Sequence, residues 1–309
     1  MDQAEKLREL VKERKMENPP PQEEGEDALT PGKRTATKVI AVASGKGGVG
    51  KSNFTVNLAI ELSKMGNRVM IMDADLGLAN IDILLGINPK YNLSHVINGE
   101  KDLKDIITET EFGIKIIASG SGVKELVNLS NQQRDSFIRN LSELEDMVDI
   151  MLVDTGAGIS KNTLSFIYAS DYSIVVTTPE PTALMDAYGL IKVTSMSKNK
   201  IPLKLIVNMA NTKEEAKEIA SRVILLSRRF LNIFVESYGF IYRDKSVLSS
   251  VMAQKPFSVL YPSSKASECI KQIAGRISDR YSKDIHKGAA HEKNLLARFL
   301  DIFGNSQTQ

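Results

Sequence analysis

The chain falls into three zones by pattern: a charged start, a middle alternating short apolar runs with amphipathic stretches, and an apolar-faced end. Strands buried on both faces read as continuous apolar runs, whereas helices repeat apolar positions every three or four residues. On that basis residues 39–43, 69–72, 114–118, 150–153, 172–177, 203–207 and 235–241 are predicted strands. Phe54, Leu58, Ile60 and Leu62 recur at helical spacing up to Gly66, a C-cap residue. Residues 136–147 and 187–195 are predicted helices, and residues 214–230 place Ala216, Ile219, Ala220, Val223 and Leu226 on one face. Residues 92–107 read as a helical stretch in which His95 is a surface or capping residue. Residues 266–281 form the last core helix, with Cys269 on its apolar side. Strands alternating with helices predict an α/β fold with a mostly parallel, doubly wound sheet flanked by helices.

Both ends depart from this core. Residues 1–16 place Ala4, Leu7, Leu10 and Val11 on one narrow stripe of a charged helix, either a fraying tail or a helix that forms on a partner. Residues 17–36 mix Pro, Glu, Gly and Asp and read as a solvated linker, which leaves residues 37–283 as the core domain. In residues 284–309, Leu295, Leu296, Phe299, Leu300, Ile302 and Phe303 oppose Lys293, Asn294, Arg298 and Asp301. Such a face fits either an interfacial membrane helix or a helix docked on its own core.

Candidate chemistry gathers behind the first strand. Gly45, Lys46, Gly47, Gly48, Val49, Gly50, Lys51 and Ser52 lie between a predicted strand and a predicted helix, the context in which G-x-x-x-x-G-K-S is a phosphate-binding loop. The glycines let backbone N–H groups converge, and the helix N-terminus adds partial positive charge. Lys51 would reach the β- and γ-phosphates, and the Ser52 hydroxyl would ligate Mg²⁺. Asp73 and Asp75 end the next strand, at the carboxyl edge where open α/β sheets bind ligands, and are placed near Mg²⁺ or the attacking water. Residues 150–153 deliver Asp154 as a Walker B carboxylate, followed by Thr155, Gly156, Ala157 and Gly158 as a flexible loop near the γ-phosphate. Asn208 closes another strand with the donor and acceptor needed to read the edge of adenine.

The second lysine of the loop, Lys46, makes the sequence resemble the deviant Walker A ATPases of the MinD/ParA class, within the SIMIBI P-loop NTPases. The resemblance spans about residues 38–280. It implies ATP and Mg²⁺ as cofactors, ATP hydrolysis, and an ATP-dependent homodimer in which Lys46 reaches the partner's phosphates. Lys46, Lys51 and Asp75 are then the catalytic set, with Asp75 positioning the water. Gly45 through Ser52, Asn53, Asp154 and Asn208 bind nucleotide. Ser52, Asp73 and Asp154 serve the metal, and residues 155–158 sense the γ-phosphate. The strand end at residues 178–181 and the following helix lie at the family's dimer and partner interface, which makes Asp186 a candidate contact. Residues 244–256 match the segment that closes over the base.

The opening Asp2, Gln3, Ala4, Leu7 and Arg8 match the DQAxxLR element of the FlhG (YlxH, FleN) flagellar-number regulators. That resemblance implies stimulation of an FlhF-type GTPase, flagellar switch-complex proteins as further partners, and control of flagellar number or placement. The C-terminal face is also similar to the membrane-targeting helix of MinD and FlhG. It implies an anionic membrane contact through Leu295, Leu296, Phe299, Leu300 and Phe303, and a cytoplasmic protein reversibly peripheral on the inner face of the cell membrane. The alternatives are a MinD-type septum-site regulator, which lacks the N-terminal element, and a ParA-type DNA-partition ATPase.

Composition narrows these choices. A net charge of +2 gives no support for a strongly basic nucleic-acid protein. One cysteine among 309 residues rules out an internal disulfide and an iron–sulfur carrier that needs two bridging cysteines per subunit. The N-terminus has no apolar signal region, and no 18-residue apolar run spans a bilayer.

Overall fold

A computed structural model describes residues 37–75, 80–120, 144, 147–197 and 200–286. The expectations for residues 1–36, for most of 136–147 and for 292–303 lie outside these. Eight strands form one sheet: β1 (Lys38–Ser44), β2 (Val69–Ala74), β3 (Ile107–Glu109), β4 (Lys115–Ile117), β5 (Ile150–Ala157), β6 (Tyr172–Thr177), β7 (Leu203–Ala210) and β8 (Val235–Tyr242). Their order is β3-β4-β2-β5-β1-β6-β7-β8. Every neighbouring pair is parallel except β3 with β4, where a three-residue edge strand turns back. This is the predicted doubly wound sheet, with β3 as an addition that a half-exposed Ile-Thr-Glu run could not announce.

Alternate strand residues supply the two halves of the core. Ile40, Val42, Ile71 and Leu152 pack under α1 (Lys51–Lys64) and the long C-terminal helix Lys265–His286. On the opposite face, Ala41, Ala43, Val175 and Leu205 pack under Pro181–Ser195 and Lys213–Leu226. Met70, Met72, Met151 and Val153 pack against residues 93–106 and Phe166 of Lys161–Ala169. We number the helices after α1 in chain order: α2 (Ile81–Leu85), α3 (Leu93–Ile97), α4 (Lys161–Ala169), α5 (Pro181–Ser195), α6 (Lys213–Leu226), α7 (Lys245–Met252), α8 (Phe257–Leu260) and α9 (Lys265–His286).

Side-chain caps set several helix starts. Ser160 accepts from Thr163 N, Thr212 from Glu215 N, and Asp244 from Ser246 N. His95 is a capping residue: its ring takes the Asn92 N–H while Asn92 accepts from Ser94 N. Boundaries differ from the sequence reading in several places. Residues 92–107 hold the short α3 and a 3-10 turn, Leu103–Ile106, in place of one helical stretch. The last core helix runs Lys265–His286, beyond 266–281 at both ends. Helix α5 begins at Pro181, six residues before position 187, because proline is pre-organised for the first helical turn. The helix expected over residues 214–230 gives way after Leu226 to a single π-turn, Ser227–Leu231. Thr155, Gly156 and Ala157 continue β5 rather than forming a flexible loop. A bulge in β5 brings Ala157 opposite Ser44, and only Gly158, with φ 88°, turns away.

Candidate active site

The loop between β1 and α1 sits at the carboxyl edge of the sheet. Gly48 and Gly50 have φ of 80° and 84°, values that L-residues rarely adopt. Gly45 has a different reason to lack a side chain, since a Cβ there would lie 2.2 Å from the carbonyl carbon and oxygen of Asp186. Gly47 faces open space. Val49 is buried, and Gly50 caps α1, whose first turn carries Lys51, Ser52 and Asn53.

That first turn converges on one buried carboxylate. Ser52 Oγ donates to Asp154 Oδ2 at 2.6 Å, and Lys51 Nζ lies 3.0 Å from the same oxygen. Thr55 Oγ1, one helical turn beyond Lys51, donates to Asp154 Oδ1 at 2.8 Å. Asp154 has no exposed surface, so its charge is held by these three partners instead of by water. Thr55 was not foreseen from the sequence, although its i+4 spacing from Lys51 places it on the same helix face.

Asp73 stands beside Asp154 in register on the adjacent strand and is itself buried. Burial pushes its carboxyl up to about 7; the Asp75 amide and Lys51 pull it down, while the Asp154 charge adds to the rise. Asp75 N donates to Asp73 Oδ1 at 3.0 Å, so the two carboxylates of D-x-D lie in different surroundings. Asp73 turns into the sheet edge, whereas Asp75 reaches the end of β5, where a Cβ on Gly156 would lie 3.6 Å from its Oδ1. The structure thus brings Lys51, Ser52, Asp73, Asp75 and Asp154 to one sheet edge.

Lys46 points elsewhere within its own chain. Its Nζ donates to Glu180 Oε2 at 3.0 Å and to Thr182 Oγ1 at 3.1 Å, at the start of α5. Neither partner was expected from the sequence, because the contact spans more than 130 positions and no local pattern encodes it.

A cavity of about 260 Å³ opens beside the loop, lined by Gly50, Asn53, Asn208, Met209, Arg243 and Val247 among others. Asn208 is buried; its Nδ2 donates to Val49 O at 2.8 Å and its Oδ1 accepts from Met209 N. Its amide therefore ties the cavity wall to the phosphate loop. Gly50 is again required, because a Cβ there would lie 2.4 Å from Asn208 Nδ2. Met209 is held at φ 57°, a sparsely populated conformation of the kind that concentrates at ligand sites. Helix α7, within residues 244–256, forms one wall through Val247, Leu248 and Val251. The cavity is mostly apolar and adjoins the loop between β1 and α1, a setting that suits a purine next to a polyphosphate.

A metal would fit the edge of the same site. Among the described residues no group of three or more His, Cys, Asp or Glu is arranged to hold one. Mg²⁺, however, is commonly held by one or two protein oxygens plus substrate phosphates. Ser52 Oγ and Asp154 Oδ2, adjacent beside the loop, are such a pair, with Asp73 behind them.

Comparison with known proteins identifies the family. The ParA family model, described as the NUBPL iron-transfer P-loop NTPase, matches residues 35–278. The antiactivator FleN of Pseudomonas aeruginosa is 39% identical over 240 residues, covering 78% of this chain and 86% of FleN. The flagellum site-determining protein YlxH of Helicobacter pylori is 39% identical over 241 residues, 77% of this chain and 81% of YlxH. Among solved structures, MinD of Pyrococcus horikoshii OT3, complexed with Mg-ADP, shares the fold with a TM-score of 0.65 and 24% identity, covering 83% of this chain and 100% of that one. The chain belongs to the ParA family of P-loop NTPases and, within it, to the FleN/YlxH (FlhG) group of ATPases.

Proposed function

We propose that the chain is an ATP-driven switch that limits flagellar number or placement. The observation that carries the switch is the convergence of Lys51, Ser52 and Thr55 on Asp154, which ties the phosphate loop to the strand end that would feel the γ-phosphate. The flagellar setting is supported by similarity to FleN, an antiactivator, and to YlxH, a flagellum site-determining protein.

In this reading the loop N–H groups and Lys51 bind the β- and γ-phosphates, and the cavity beside Asn208 takes the base. Ser52 and Asp154 hold Mg²⁺, which when bound would neutralise charge on the phosphate oxygens. Asp75, at the open end of β5, holds the attacking water in line. Lys46 leaves Glu180 and contacts the phosphates of a second copy, so nucleotide joins two chains face to face. The dimer resides on an anionic membrane through residues 292–303, where two weak helices bind with avidity, and hydrolysis returns single chains to the cytoplasm. Residues 2–8 stimulate an FlhF-type GTPase.

Light scattering with a non-hydrolysable ATP analogue and Mg²⁺ tests the switch: dimers are expected, and single chains at saturation refute it. Asp75→Ala should accumulate the dimer with ATP. A peptide of residues 1–16 should stimulate an FlhF-type GTPase, and Arg8→Ala should abolish that. Equal vesicle pelleting with ATP, with ADP and after removal of residues 292–309 would defeat the membrane part.

A further inference from the structure

The amino-terminal end of the sheet, opposite the phosphate loop, carries a second surface with its own chemistry. Residues 200–202 lead into β7 and residues 232–234 lead into β8, and the two strands start in register at Leu203 and Val235. Between these segments and the end of α5 runs a groove of about 290 Å³, lined by Thr194, Lys200, Ile201, Ile233 and Phe234 among others. Phe234 is 78% exposed, and Phe230, on the π-turn that ends α6, is 64% exposed. Met196, which caps α5, is 76% exposed. Soluble domains rarely present large apolar side chains this openly in one region without a partner.

Two segments around this groove carry cations without acids. No acid occurs between Asp186 and Glu214, a span holding Lys192, Lys198, Lys200, Lys204 and Lys213, nor between Glu218 and Glu236, a span holding Arg222, Arg228 and Arg229. Lys204 is buried, and Arg222 pairs with Glu218. Lys200, Arg228 and Arg229 are exposed, and the Arg229 guanidinium stands 5.5 Å from the Phe230 ring. Aromatic rings fringed by cations, with the acid nearest Phe234, Glu236, paired to Arg280, match the layer where anionic headgroups meet acyl chains.

The path of the chain points the same way. Helix α9 starts beside the carboxyl end of β8, where Ala266 N donates to Asp244 Oδ2, and runs back until Arg280 meets Glu236 at the amino end. The described end of α9, His286, therefore lies at the end of the domain that bears Phe234.

We propose that this end of the folded domain is a lipid-contacting face, which seats Phe230 and Phe234 in the interfacial layer of an anionic bilayer while Lys200, Arg228 and Arg229 take the headgroup charge. This rests on the membrane residence proposed above and assigns part of it to the domain itself. Duplex DNA would use the cations but leave both rings in water, so lipid is the better match.

The chain has no tryptophan, so Phe234→Trp places a single emitter on this face of the full-length protein. With ATP and Mg²⁺, its emission should shift to the blue on vesicles containing phosphatidylglycerol and stay unchanged on pure phosphatidylcholine. Replacing Arg228 and Arg229 together by Gln should weaken pelleting with the anionic vesicles roughly 30-fold, with nucleotide binding intact as the check on folding. If the chain pellets while the emission stays put and the Gln variant binds as before, membrane residence stands and this face takes no part in it. If the full chain pellets in neither nucleotide state, both readings fall. If the Gln variant loses retardation of nonspecific duplex DNA yet keeps vesicle binding, the face belongs to nucleic acid and the proposal fails.

Discussion

Lys46 Nζ stands 3.0 Å from Glu180 Oε2, so the loop's second lysine is latched to its own chain at the start of α5. Both side chains are substantially exposed, which keeps the pair's contribution to stability below about 1 kcal/mol. Lys46→Ala should therefore leave thermal stability and ATP binding by single chains near those of the parent while removing analogue-induced dimers. Glu180→Gln should melt within a few degrees of the parent. A Lys46→Ala protein that still dimerises in light scattering would dismiss the lysine's role between subunits.

Asp154 should be far more costly to change. Asp154→Ala strands the Lys51 ammonium, which is nearly buried, and takes acceptors from Ser52 and Thr55. Removing one partner of a buried ion pair costs about 3–5 kcal/mol. Thr55→Val removes one buried hydroxyl and should cost about 1–2 kcal/mol, with nucleotide affinity reduced less. Urea unfolding orders the two; equal losses would mean that Thr55 matters as much as the ion pair.

Two loop glycines should separate cleanly. Gly45→Ala collides with the Asp186 backbone, which cannot swing aside as a side chain would, so a loss of about 2 kcal/mol and weaker nucleotide binding are expected. Gly47→Ala meets nothing within 4 Å and should change stability by no more than about 0.5 kcal/mol. Calorimetry on both variants checks the contrast, and a destabilised Gly47→Ala would refute it.

The nucleotide-free protein should lose stability as the solution becomes less acidic. With its folded-state carboxyl raised to about 7, Asp73 is held protonated by burial. Its contribution is then complete below its ordinary value near 3.8 and fades as pH rises through about 7. At about 1.4 kcal/mol per pH unit the whole effect is at most about 4 kcal/mol. Denaturant unfolding should therefore give a lower stability at pH 8 than at pH 5.5, and Asp73→Asn should flatten that difference. A parent profile already flat over this range would mean Asp73 is ionised throughout.

Much of this was legible in the sequence because the parallel sheet writes itself as apolar runs. The run 172–177 coincides with β6, and the glycine loop falls between β1 and α1 as its spacing predicts. Local signals also sufficed for Asp154, delivered by its run of apolar residues. What the sequence withheld depends on long-range geometry. The latch from Lys46 to Glu180, the approach of Asp186 to Gly45 and the Asn208 bond to Val49 O each join segments more than 130 positions apart. The strand character of Thr155 to Ala157 was hidden because two small or glycine residues suggest a loop, whereas pairing with β1 decides the matter.

Asp244 accepts from Ser246 N at 2.9 Å with one oxygen and from Ala266 N at 3.3 Å with the other. One short side chain thus fastens both the helix lining the base cavity and the 22-residue helix that crosses the whole domain. A helix of that length is a strut of about 33 Å. A shift of α7 would therefore bear on the amino end of α9 through a single carboxylate, without passing through the sheet.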